Sequence, residues 1–227
     1  AKAISDVLTT NPALIGLDLQ QSEISGTGVA LISVALGSNP NMNPSPNTTL
    51  TYLNIQCCGA FAAGAQHVAD MISQNKFLRR LNFSDNNIGD QGATYLARAL
   101  ETNMSLSHFD IAKNKIADLG AVELGAALTK NRRLAKLDLS INEISDDGGT
   151  ALAKGIAQNL PLTCLDLGSN RFSGLGVWML TLSTKVKPLA NPAVHRRFEI
   201  KGLPSDQWTR GQLPGLLSED ELKTVLQ

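Results

Sequence analysis

Five leucines stand at an unbroken spacing of 28 residues: Leu50, Leu78, Leu106, Leu134 and Leu162. Each opens the same phrase, as in Leu78-Arg79-Arg80-Leu81-Asn82-Phe83 and Leu134-Ala135-Lys136-Leu137-Asp138-Leu139. A further copy, Leu14-Ile15-Gly16-Leu17-Asp18-Leu19, lies 36 residues before Leu50. The surplus of 8 falls in the Pro/Asn-rich, turn-forming stretch from Gly37 to Asn47. Eight residues after each opening leucine come Ser22, Cys58, Asn86, Asn114, Asn142 and Asn170. Fourteen after it the residue is always glycine: Gly28, Gly64, Gly92, Gly120, Gly148 and Gly176. Such a register makes a stack of like supersecondary units the expected fold.

The periods inside one unit say what it is. Leu-x-x-Leu-x-Leu ends in strict alternation, so it reads as a short strand with one face inward. The later half carries apolar residues four apart, as in Leu96/Leu100, Leu124/Leu128 and Leu152/Ile156, which reads as one face of a helix. Small residues beside them (Ala97, Gly125, Ala153) let neighbouring helices approach closely. Asp90, Asp118 and Asp146 stand where the helices start and are expected to cap them. The asparagine column supplies an amide to backbone groups that a tight strand-to-loop turn leaves unpaired, and Cys58 in that column is expected to be structural. One strand and one helix cannot shield their own apolar faces, so the units must stack. Helices are about 10 Å wide and parallel strands about 4.8 Å apart, so the stack bends with strands on the inside. The expected fold is α/β: a horseshoe solenoid of 28-residue strand–helix units, with a parallel sheet on the concave face and helices on the convex face.

These residues resemble a known family. The LxxLxLxxN phrase (Leu78 to Asn86, Leu134 to Asn142, Leu162 to Asn170) and the helix Gly92-Ala93-Thr94-Tyr95-Leu96-Ala97 are similar to leucine-rich repeats of the ribonuclease-inhibitor type, over about residues 4–182. The resemblance implies the solenoid fold. It also implies a protein binder, since such repeats serve as inhibitors, immune sensors, cytoskeletal regulators or host-targeting bacterial effectors.

Three segments follow. Counting back 28 from the first repeat predicts apolar residues at 4 and 8 and an asparagine at 11, where Ile4, Leu8 and Asn11 stand. Residues 1–13 therefore read as the helix of a partial preceding repeat or an N-terminal cap; a cap normally departs from the pattern, so a fragment of a longer protein is the expectation. Residues 14–182 hold six repeats, with the insertion at 37–47. Residues 183–227 read as a degenerate repeat and C-terminal cap. Within it Arg197-Phe198-Glu199-Ile200 is a candidate seventh strand, and Ser218-Glu219-Asp220-Glu221 a capping box opening a helix to Val225. Trp208 and Leu213–Leu217 are expected to seal the last repeat. The basic residues Lys185, Lys187, Arg196, Arg197, Lys201 and Arg210 read as a solvated cap surface.

Composition excludes some classes. Lys and Arg total 20 against 20 Asp and Glu, which argues against a general nucleic-acid binder. No apolar run is long enough to span a membrane. Three cysteines make no disulfide framework, so a reducing cytoplasmic setting fits, and a monomer without cofactor is expected. Catalytic groupings fail on geometry. Ser84 lies four residues further along its strand than His108 does along the next, about 13 Å away at about 3.3 Å per residue, so no Ser84–His108–Asp110 triad forms. His108 and Cys164 stand two strands apart, about 10 Å, too far to share a zinc. Asn47-Thr-Thr and Asn103-Met-Ser match the glycosylation sequon by coincidence.

The concave wall remains. Its first outward column reads Gly16, Tyr52, Arg80, His108, Lys136, Cys164; its second reads Asp18, Asn54, Asn82, Asp110, Asp138, Asp166. A basic-aromatic stripe thus runs beside an acidic one. The acidic column either pairs with its Lys and Arg neighbours for solubility or meets a partner. The first column is not required by the repeat, and Tyr and Arg are enriched at binding hot spots. Tyr52, Arg80, Asn82, His108, Asp110, Lys136, Asp138, Cys164 and Asp166 are therefore the candidate contacts of a non-catalytic scaffold whose partner is another protein. Two alternatives stand beside it. One is a Ran-type GTPase activator, which by resemblance would carry a loop-edge arginine, with Arg171 the nearest candidate. The other is the targeting arm of a larger enzyme or effector.

Overall fold

The computed structural model describes residues 1–37, 47–174, 176, 177, 180 and 199–202. In chain order its elements are α1 (Lys2–Thr10), β1 (Gly16–Asp18), α2 (Ser25–Leu36), β2 (Tyr52–Asn54), α3 (Phe61–Gln74), β3 (Arg80–Asn82), α4 (Gly89–Thr102), β4 (His108–Asp110), α5 (Asp118–Lys130), β5 (Lys136–Asp138), α6 (Asp146–Gln158), β6 (Cys164–Asp166) and β7 (Glu199–Lys201). The strands form one sheet in the order β1 to β7, every pair parallel. The open α/β solenoid of strand–helix units is the fold that the period demanded. Leu17, Leu53, Leu81, Phe109, Leu137, Leu165 and Ile200 lie in one register column facing the helices. The core between sheet and helices is continuous along the stack, from Leu8 on α1 to Leu180.

Two asparagine ladders hold it. In the loop after each strand, Asn114 donates its amide to the Phe83 and Ala112 carbonyls, and its Oδ1 accepts from the backbone of Asn86 and Ile88 in the preceding repeat. Asn86, Asn142 and Asn170 repeat the pattern. Cys58 fills the same place: buried, it donates its thiol to the Leu19 carbonyl, and burial raises its pKa. The second ladder ends the helices. Asn103 donates to the Ile72 and Asn75 carbonyls while accepting from the Ser105 and Leu106 amides, and Asn47, Asn75, Asn131 and Asn159 serve likewise. The Asn103 sequon is thus the repeat's own helix-ending asparagine, and Asn47 holds the same rung of the ladder although Gly37 caps α2; both are buried.

The expected helix caps need correction. None of α4, α5 or α6 has a side-chain cap of its own. Each aspartate reaches sideways instead, to the helix start of the next repeat. Asp90 Oδ1 accepts from Ala117 and Gly120 at 2.7 and 2.9 Å; Asp118 Oδ1 accepts from Ser145 and Gly148 at 2.7 and 3.0 Å. Asp146 takes the amide and hydroxyl of Ser173. Helices stacked side by side bring a neighbour's unpaired N–H groups nearer than those of the residue's own helix. At Gly120, Gly148 and Gly176 the glycine leaves room for this carboxylate: a Cβ at Gly148 would stand 2.6 Å from Asp118 Oδ1.

At the ends, α1 packs against α2, and β7 pairs with β6 through Glu199, Ile200 and Lys201, within the candidate seventh strand and one residue beyond it. Residues 38–46 of the insertion, residues 183–195, and the cap with its basic residues other than Lys201 lie outside the described residues.

Candidate functional site

In a three-residue strand the middle side chain points into the core and the outer two point away from it. The first and third residues of β2 to β6 therefore supply the two rows expected on the concave wall. The register sets Tyr52, Arg80, His108, Lys136 and Cys164 side by side, and likewise Asn54, Asn82, Asp110, Asp138 and Asp166. One shallow groove of about 310 Å³ is lined by all nine predicted contact residues. Its floor is Leu81, Phe109 and Leu137. Lys201 also lines it, paired in register with Asp166, and was missed as a site residue. The signal was present: Ile200 continues the inward column, which puts Lys201 in the acidic row.

The acidic row does a local job first. Asp110 Oδ1 accepts from the Ala112 amide at 3.0 Å, Asp138 Oδ1 from the Ser140 amide and hydroxyl at 2.9 and 2.7 Å, and Asp166 Oδ1 from the Gly168 amide at 3.0 Å. Asn54 and Asn82 make the same turn-closing bond to Gln56 and Ser84. An acceptor oxygen is what the backbone requires here; a charge is not. Among the described residues the ion pairs are Lys113–Asp85, Lys130–Glu101 and Arg171–Glu143, and none joins the basic row to the acidic one. Of the two alternatives for the acidic column, mutual pairing of the stripes is not found among the described residues.

Electrostatics follow from that layout. Burial, with the charges of Asp138 and Asp166 adding to it against the Ala112 hydrogen bond, pushes the Asp110 pKa up to about 6. Burial, then Lys136 and Arg80, lowers the His108 pKa, so the imidazole is neutral at neutral pH. His108 Nδ1 lies 2.9 Å from Ser107 Oγ. The Arg80 guanidinium sits over the Tyr52 ring, 5.2 Å from its centroid, a cation–π contact that limits its rotamers.

The register pairs His108 with Arg80, so Ser84 is four residues beyond it, and the Ser84 hydroxyl donates to Asn82 Oδ1 at 2.7 Å. Among the described residues no group of three or more His, Cys, Asp or Glu is placed to hold a metal, and no helix is long and apolar enough to cross a membrane. Arg171, the loop-edge candidate, is bound to Glu143 at 2.8 Å.

Known proteins show the same architecture. The leucine-rich-repeat family model matches residues 47–62, 74–97, 102–125, 130–153 and 158–180. The chain is a leucine-rich-repeat protein. A human relative, NACHT, LRR and PYD domains-containing protein 5, is 32% identical over 88 residues, 39% of this chain but only 7% of that protein. Two solved structures share the fold: the leiomodin-1 actin-binding site 2, at a TM-score of 0.54 and 13% identity over 81% of this chain and 86% of that one; and the tropomodulin C-terminal domain of Caenorhabditis elegans, at 0.54 and 12% over 69% and 90%. Identities this low speak to the fold alone.

Proposed function

We propose that this leucine-rich-repeat chain is a protein-interaction scaffold that holds its partner against the concave wall of the sheet. The observation that carries the reading is the pair of opposite charge rows, set side by side in one groove, with no ion pair between them among the described residues. Unpaired charge of both signs favours a surface that carries both, as proteins do. The fold likeness to the actin-binding site 2 of leiomodin-1 agrees with binding and leaves the partner open. A GTPase activator is less favoured, because Arg171 would first have to leave Glu143.

A photo-crosslinking phenylalanine analogue at Tyr52 or Gln56 tests this, with the same analogue at Gln91 or Lys154 on the helix side as control. Crosslinks to a cellular protein from the concave positions and not from the helix positions are expected. Crosslinks from the helix positions alone would overturn the reading.

A further inference from the structure

We propose that the occupant of the concave wall is an α-helix of the partner protein, lying along the stack with a row of basic side chains over Asp110, Asp138 and Asp166 and a flanking row of acidic side chains over Arg80 and Lys136. This rests on the concave reading above and adds the chemistry of the partner.

The spacing of the aspartates matches a helix. The three aspartates occupy equivalent positions on adjacent parallel strands. At about 4.8 Å per strand they span about 9.6 Å. Residues i, i+3 and i+7 of a helix lie on one face and, at about 1.5 Å per residue, span about 10.5 Å. An extended segment running the same way presents same-side residues about 6.8 Å apart and is out of step by the third strand, by about 4 Å. The helix stays in step within the freedom of a lysine side chain.

Asn82 precedes Asp110 and Lys201 follows Asp166, so the acidic run is three residues long, with a neutral group at one end and a cation at the other. That length suits two helical turns and fixes where the partner's basic row begins and stops.

Three like charges on adjacent strands disfavour one another, and no cation pairs with them among the described residues. Burial first raises the Asp110 pKa, and the charges of Asp138 and Asp166 add to it. A partner's ammonium or guanidinium groups relieve it, and a nucleic-acid backbone would aggravate it. Beside them Arg80 is already positioned on the Tyr52 ring, which lowers the entropy lost on meeting a carboxylate.

Three stapled helical peptides test the proposal by fluorescence anisotropy against the full chain. The matched peptide carries Lys at i, i+3 and i+7 with Glu on the flanking row; the swapped peptide exchanges Lys and Glu; the third is a scramble of the same composition. The matched peptide is expected to bind about tenfold or more tightly than either control, losing that margin in high salt. Asp138→Asn keeps the acceptor that Ser140 needs, as Asn82 does for Ser84, and is expected to weaken the matched peptide several-fold while the swapped one gains. Equal affinities for matched and swapped peptides, or no binding of the matched peptide, would overturn the helical occupant. Concave crosslinks that persist in that case leave the scaffold reading standing, whereas their absence in favour of helix-side crosslinks removes both.

Discussion

Changing Asp110 to asparagine isolates the cost of charge on the concave wall. The folded pKa of Asp110 is about 6, against about 3.9 for an unperturbed aspartate. Two units at about 1.4 kcal/mol each set an upper bound near 3 kcal/mol, and partial contact with solvent reduces it to about 1–2 kcal/mol. Between about pH 4 and 6 the folded chain holds a proton that the unfolded chain has lost, so stability falls as pH rises through that window and is level on either side. Asparagine does not titrate, so the Asp110→Asn variant lacks this slope and is more stable than wild type by about 1–2 kcal/mol near neutral pH. The turn survives, because Asn54 and Asn82 make the same bond to the backbone two residues on, at 3.1 and 3.0 Å. The groups facing Asp110 across the sheet are Asn82, Arg80, Asp138, Lys136 and Asp166, with His108 on its own strand; all remain in the variant. Urea unfolding of both proteins from about pH 4 to pH 7.5 supplies the test, since other carboxylates cancel in the difference. A stability difference that is flat across this range, or a variant less stable at neutral pH, would refute the reasoning.

Three further outcomes are expected. Asn114→Ala removes two amide donations and two accepted bonds inside the stack, and its urea midpoint should fall by an amount equivalent to about 2–4 kcal/mol; an unchanged midpoint would contradict the ladder. Asp118→Ala should cost about 1–2 kcal/mol, and hydrogen exchange should speed up at Ser145 and Gly148 in the next repeat, not in the first turn of α5, where a conventional cap would act. Burial raises the Asp118 pKa, but hydrogen bonds from Ser145 and Gly148, with the charge of Arg171, outweigh it and hold the value below normal, so this contribution is lost only as pH drops through that lowered value. Gly155→Ala drives a methyl into the Gly125 carbonyl and should lower the thermal midpoint with a loss of about 1–3 kcal/mol; full tolerance would mean that α5 and α6 are not in such close contact.

Much of this was legible in the sequence because a repeat specifies directions. Once the 28-residue period is read, Leu81 and Leu137 must face in and Arg80, Asn82, Lys136 and Asp138 must face out, for alternation along a strand allows nothing else. All nine contact candidates accordingly share one groove. Lys201 escaped because its strand has lost the leucine phrase, keeping only Ile200 in the inward column.

Periodicity sets the angle of a side chain around its own element and leaves open which neighbour it serves. Asp118 belongs by position to the start of α5, yet it caps α6, because stacking brings the unpaired amides of the next helix to its carboxylate. Asp110, Asp138 and Asp166 are visible as acids in a row, but the absence of an ion pair to them among the described residues and the burial of Asp110 emerge only when adjacent strands are set side by side. Inward and outward are properties of one unit and can be read along the chain. Partnership across repeats is a matter of distance between units, and packing alone supplies that distance.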